Sequence, residues 1–101
     1  MSEAGGPPEP YPLRGGDELA RWKEECTPAD HHYHRVRFFI RRLMVDPGSV
    51  PALKEQTTGL PEFTYVVPGT DALVSWVVIP SPPYAPEQRC VLLVDVRPVT
   101  V

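Results

Sequence analysis

"EFTYVVPGTDALVSWVVI", residues 62–79, decides the fold. Residues 62–67 alternate as a strand does, and Pro68-Gly69-Thr70-Asp71 supplies a turn. Residues 72–79 then run apolar on both faces, the mark of a central strand. Downstream, "CVLLVDVRPV" (90–99) reads as a last strand, with Pro98 limiting its pairing near the end.

Upstream the period is helical. "DELARWKEEC" (17–26) sets Leu19, Trp22 and Cys26 on one face of a short helix, with Asp17 and Glu18 in its first turn. Thr27-Pro28-Ala29-Asp30 reads as an N-cap, a proline at the first helical position and an acid at the third. A second helix is therefore expected from about Pro28 to Val45. Tyr33, Val36, Phe39, Ile40, Leu43 and Met44 form its buried stripe, and Asp46-Pro47-Gly48 ends it. Two helices followed by an antiparallel meander make an α+β domain: two N-terminal helices packed on one face of a three-stranded, or four-stranded, sheet. The expected core is Trp22, Phe39, Ile40, Leu43, Trp76, Val78 and Leu92.

The chain has 101 residues, 42% of them hydrophobic, which allows one domain with one modest core, residues 17–101. Residues 1–16 are half glycine and proline and read as a flexible tail, and Pro7-x-x-Pro10 is either linker or an SH3-type ligand. No apolar run is long enough to span a membrane, and the N-terminus has no basic start and no apolar signal segment, so a cytoplasmic location is expected. There, Cys26 and Cys90 are expected as free thiols rather than a disulfide or a shared metal site.

The net charge is −3, with the bases concentrated in the middle third. This argues against nucleic acid, whose phosphates call for a basic surface. Arg35, Arg37, Arg41 and Arg42 lie mostly off the apolar stripe of the second helix. They either pair with Glu24, Glu25 and Asp46 or stand free to meet phosphates or an acidic partner segment. His31 and His34, with Cys26 upstream, fall short of a zinc site, since no spacing supplies the remaining ligands. No metal and no cofactor is expected, and neither a nucleophile elbow nor a phosphate-binding loop occurs.

On the last strand Cys90, Leu92, Val94 and Val96 share one face, expected to meet the helices. Asp95 and Arg97 then lie on the open face, as a surface pair or flanking a site where Arg97 stabilises a phosphoryl charge. The loop "IPSPPYAPEQR" (79–89) carries prolines at 80, 82, 83 and 86. It is either a passive insertion or a rigid mount presenting Tyr84 to a partner.

Several of these features together carry a resemblance. A second helix closed by Leu43-Met44-Val45-Asp46-Pro47, then Leu53-Lys54, then Gly59-Leu60-Pro61-Glu62-Phe63, then a hairpin and last strand, resembles the RelE/ParE toxin superfamily over residues 17–99. The resemblance implies a bacterial, cytoplasmic toxin of a toxin–antitoxin pair, a metal-independent endoribonuclease that cuts ribosome-bound mRNA. It implies a cognate antitoxin protein as partner, along with the ribosome and mRNA. Lys54 and Arg97 would be the catalytic residues at the scissile phosphate, and Tyr65 would stack on a base, with Arg35, Arg41 and Arg42 as further RNA contacts. The chain departs from the family pattern at Thr64 and at Ala72-Leu73, where basic residues are usual, in having no tyrosine or histidine after Arg97, in a first strand that is at best Tyr11-Pro12-Leu13-Arg14, broken by proline, and in being acidic. These departures leave an alternative open: a non-catalytic protein-binding module on the same fold.

Overall fold

The computed structural model describes residues 9–50, 53–55, 59–81 and 83–99, the segment 53–55 through its backbone. Pro7 of the Pro-x-x-Pro spacing and Pro82 of the proline loop lie outside the described residues. The two expected helices are present, α1 (Asp17–Cys26) and α2 (Asp30–Val45). Among the described residues, no helix is long and apolar enough to cross a membrane.

The junction between the helices differs from the expected N-cap. Thr27 does not cap α2; it closes α1 in the left-handed region (φ 41°, ψ 57°), its N–H donating to the Lys23 carbonyl. Ala29 precedes the first residue of α2 instead. Cys26, expected on the buried stripe, is exposed at the end of α1. Among the described residues Thr27 is the one non-glycine with positive φ, an unfavourable conformation for a β-branched side chain. Thr27→Gly is therefore expected to raise stability by roughly 1 kcal/mol, read as a higher urea midpoint.

Among the described residues, five strands form the sheet: β1 (Leu13–Arg14), β2 (Leu53–Glu55), β3 (Glu62–Val66), β4 (Ala72–Ile79) and β5 (Cys90–Pro98), in the order β1-β5-β4-β3-β2. The meander β3-β4-β5 is antiparallel, as expected, and the sheet is wider by a short strand at each edge. β2 pairs antiparallel with β3. Leu13–Arg14, inside the stretch read as a tail, pairs parallel with β5, and the Val91 N–H donates to the Pro12 carbonyl at 2.8 Å. Tyr11 is tied to the end of α2 through the Met44 carbonyl. Arg89 donates to the Glu9 and Pro10 carbonyls and lies over the Tyr11 ring, 3.8 Å from its centroid.

One row of the sheet faces α2. Phe63 and Tyr65 of β3, Val74 and Trp76 of β4, and Leu93 and Val96 of β5 are register partners along it. The Phe39 ring meets Trp76 edge-on at 5.6 Å, and Phe63 stacks on Trp76 at 5.9 Å. Trp22 of α1 is buried and stacks with Tyr33 of α2, joining the helices. Five of the seven expected core residues are buried, while Val78 and Leu92 are half-buried.

Leu92 lost its place because β5 carries a bulge. Ser75 pairs with Asp95 but Trp76 pairs with Leu93, so Val94 is an extra residue. Alternation inverts there. Val91 and Leu93, expected on the open face, lie in the core with Val96, and Val94, expected inside, is exposed. Asp95 reaches back to α1, accepting from the Arg21 guanidinium at 2.8 Å, and Arg21 also binds Glu18 and Glu25. The hydrogen bond that Arg21 donates to the Glu18 carboxylate is the largest cause raising the Arg21 pKa above its ordinary value. These are exposed pairs of small energetic value.

Candidate functional site

The residues expected around a scissile phosphate do not come together. Arg97 pairs in register with Leu73, on the row opposite α2, and is exposed, with Asp95 3.7 Å from its guanidinium. Lys54 pairs with Phe63, in the row of Trp76 and Leu93. Two strands, β4 and β3, lie between β5 and β2, so about 14 Å separates the two positions across the sheet alone. Tyr65, expected to stack on a base, stacks on Phe39 beneath α2 (centroids 5.6 Å, interplanar angle 20°). Tyr84 is 40% exposed in the proline loop, which Arg14 braces by donating to the Glu87 carbonyl.

A different cluster is assembled, on the outer face of α2. The helix advances about 100° per residue. Val36, Phe39, Ile40 and Leu43 point inward and are buried. Phe38 and Val45 lie roughly 200° and 180° around from Val36, opposite the core. Both are open to solvent, Phe38 at 73% exposure and Val45 at 59%. Arg35 and Arg42 flank this apolar line on one side, and Arg37 and Arg41 on the other, by the same arithmetic.

The arginines are not consumed by acids. Glu25, one expected partner, binds Arg21. Among the described residues none of Arg35, Arg37, Arg41 and Arg42 forms an ion pair. Arg37 lies over the Tyr33 ring at 5.6 Å, a cation–π contact. The expected pairing with Glu24, Glu25 and Asp46 is thus corrected: Arg21 takes Glu25, four residues on along α1, and among the described residues neither Glu24 nor Asp46 forms an ion pair.

Beside Phe38 the surface is hollowed into an open groove of about 360 Å³, between α2 and the β3–β4 turn. Its floor is Phe39 and Val67, its walls Phe38 and Pro68, and its rim Arg35 and Arg42. The turn is held by Val67, whose carbonyl accepts from the Thr70 N–H and hydroxyl, while the Ala72 N–H donates to Thr70 Oγ1. Gly69, at φ +80°, allows the turn to close against Arg35; a Cβ there would stand 3.0 Å from a guanidinium nitrogen. The sheet thus supplies one wall of the groove and the helix the other.

Sequence reasoning picked out all four of these arginines as candidates for an acidic or phosphate partner, three of them as RNA contacts, but missed Phe38. The signal was present: Phe38-Phe39 are adjacent on a helix, so both cannot face one core. Among the described residues no group of three or more His, Cys, Asp or Glu could hold a metal ion. Cys26 and Cys90 are free, the latter buried. Compared with family models, with curated proteins and with solved structures, the chain matches none.

Proposed function

We propose that this chain is a non-catalytic protein-binding module that engages its partner through the solvent face of α2. One observation carries the reading: Phe38 is 73% exposed directly opposite the core, within four arginines that pair with no acid among the described residues. A phenylalanine in that position does nothing for the fold, and covering it is worth about 2 kcal/mol to a complex. The endoribonuclease reading asks Lys54 and Arg97 to meet at one phosphate and Tyr65 to be open to a base. Their separation and the Tyr65–Phe39 stack favour binding over cleavage.

The test places a photo-crosslinking amino acid at position 38, and separately at position 73 on the opposite row of the sheet. In cells, position 38 is expected to cross-link one defined protein and position 73 none. Added message should stay intact in a translation extract. Cross-linking confined to position 73, or message cleavage that Arg97→Ala abolishes, would overturn the proposal.

A further inference from the structure

Resting on that reading, we infer that the partner segment is an acidic amphipathic helix, lying along α2 with its apolar line on Phe38 and Val45. Phe38 and Val45 are seven residues apart, two helical turns or about 10 Å. Anchors two turns apart on a second helix match that spacing. The arginines stand in pairs on both sides of the line, so the complementary helix carries acids on both flanks of an apolar stripe, as flanking charges do in paired helices. The groove between α2 and the β3–β4 turn, floored by Phe39 and Val67, receives a side chain from the first anchor.

Other occupants fit less well. A second copy docked symmetrically would set the four arginines against their own duplicates, a like-charge juxtaposition that opposes docking. RNA would satisfy the arginines but not Phe38-Val45, and the chain's net charge of −3 repels a polyanion at long range. An acidic segment with an apolar stripe uses both halves of the patch. It needs only a local match, because its own charge is small beside that of a nucleic acid.

The experiment uses the full chain and three labelled probes, followed by fluorescence anisotropy. The first is a roughly 15-residue helical peptide, about four turns, with leucines at helical spacing and glutamate elsewhere. In the second, lysine replaces every glutamate. The third is an oligouridylate. The acidic peptide is expected to bind, more weakly as salt rises, and about 30-fold more weakly to Phe38→Ala. Paired Arg35→Gln and Arg42→Gln should cost about tenfold, while Phe38→Leu retains binding. Unchanged circular dichroism of each variant excludes unfolding.

Equal binding of the lysine peptide, or oligouridylate binding that Phe38→Ala leaves unchanged, would overturn the inference. So would a dimer detected by sedimentation and lost in Phe38→Ala. If no peptide binds while position 38 still cross-links a protein in cells, the proposed function stands and this partner class falls.

Discussion

Trp76→Ala is expected to destabilise the fold by about 3–5 kcal/mol, enough to leave much of the protein unfolded at growth temperature. Trp76 is 1% exposed in the central strand β4. Phe39 meets it edge-on and Phe63 stacks on its ring, so the indole is where helix and sheet join. Truncation removes one of the two largest buried side chains in the core together with both aromatic contacts. Neighbours cannot close the gap, because Val74 and Val96 are already packed and β4 is fixed by pairing on both edges. Urea unfolding followed by far-ultraviolet circular dichroism measures the loss. Trp76→Phe should retain about half of the stability that Trp76→Ala forfeits, since a ring remains between Phe39 and Phe63. A loss below 1 kcal/mol for Trp76→Ala would contradict the core described above.

Gly15→Ala is expected to cost about 3 kcal/mol, far more than a methyl group on a loop ordinarily would. Gly15 links β1 to α1 with φ +78°. That conformation alone penalises an L side chain by about 1–2 kcal/mol. Space adds the rest: a Cβ at this position would overlap the Leu93 carbonyl oxygen, which is backbone and cannot swing aside. The chain must back away from β5, weakening the Val91–Pro12 hydrogen bond. Amide exchange at Val91 should accelerate along with the drop in urea midpoint. Gly15→Asn, which tolerates positive φ better, should do little better than alanine, because any Cβ meets the same oxygen. Recovery of wild-type stability by asparagine would show that backbone strain alone, and not the approach of β5, sets the need for glycine.

Residues 62–79 and the helical stripe of 33–44 were legible because their periods differ and each has one buried face. β1 was legible only as Tyr11–Arg14 with a breaker in it, because two residues carry no period and Pro12 interrupts the stretch; at an edge, however, proline loses no ladder bond. The bulge at Val94 was illegible for a different reason. In "CVLLVDV" apolar residues fill both parities up to Val94, so no alternation marks where the parity slips. The arginines of α2 could be placed off the core by helical phase, whereas their lack of acidic partners among the described residues could not be read from phase alone. Lys54 and Arg97 could be proposed as a pair only through the resemblance. Only strand order and register separate them, and neither is written locally.

The parallel pairing of β1 with β5 also bears on how the chain is made. Leu13 and Val91 are partners, so the first strand waits for nearly the whole domain to be synthesised before its neighbour exists. Both helices and the local hairpin β3–β4 can form from near contacts before β5 docks, with Val74 and Trp76 unpaired on that side until it does. Closure of such distant segments is slow relative to helix and hairpin formation. A chain cut short before residue 90 would therefore present an open, apolar sheet edge, and aggregation during folding should be governed by the speed with which the last strand docks.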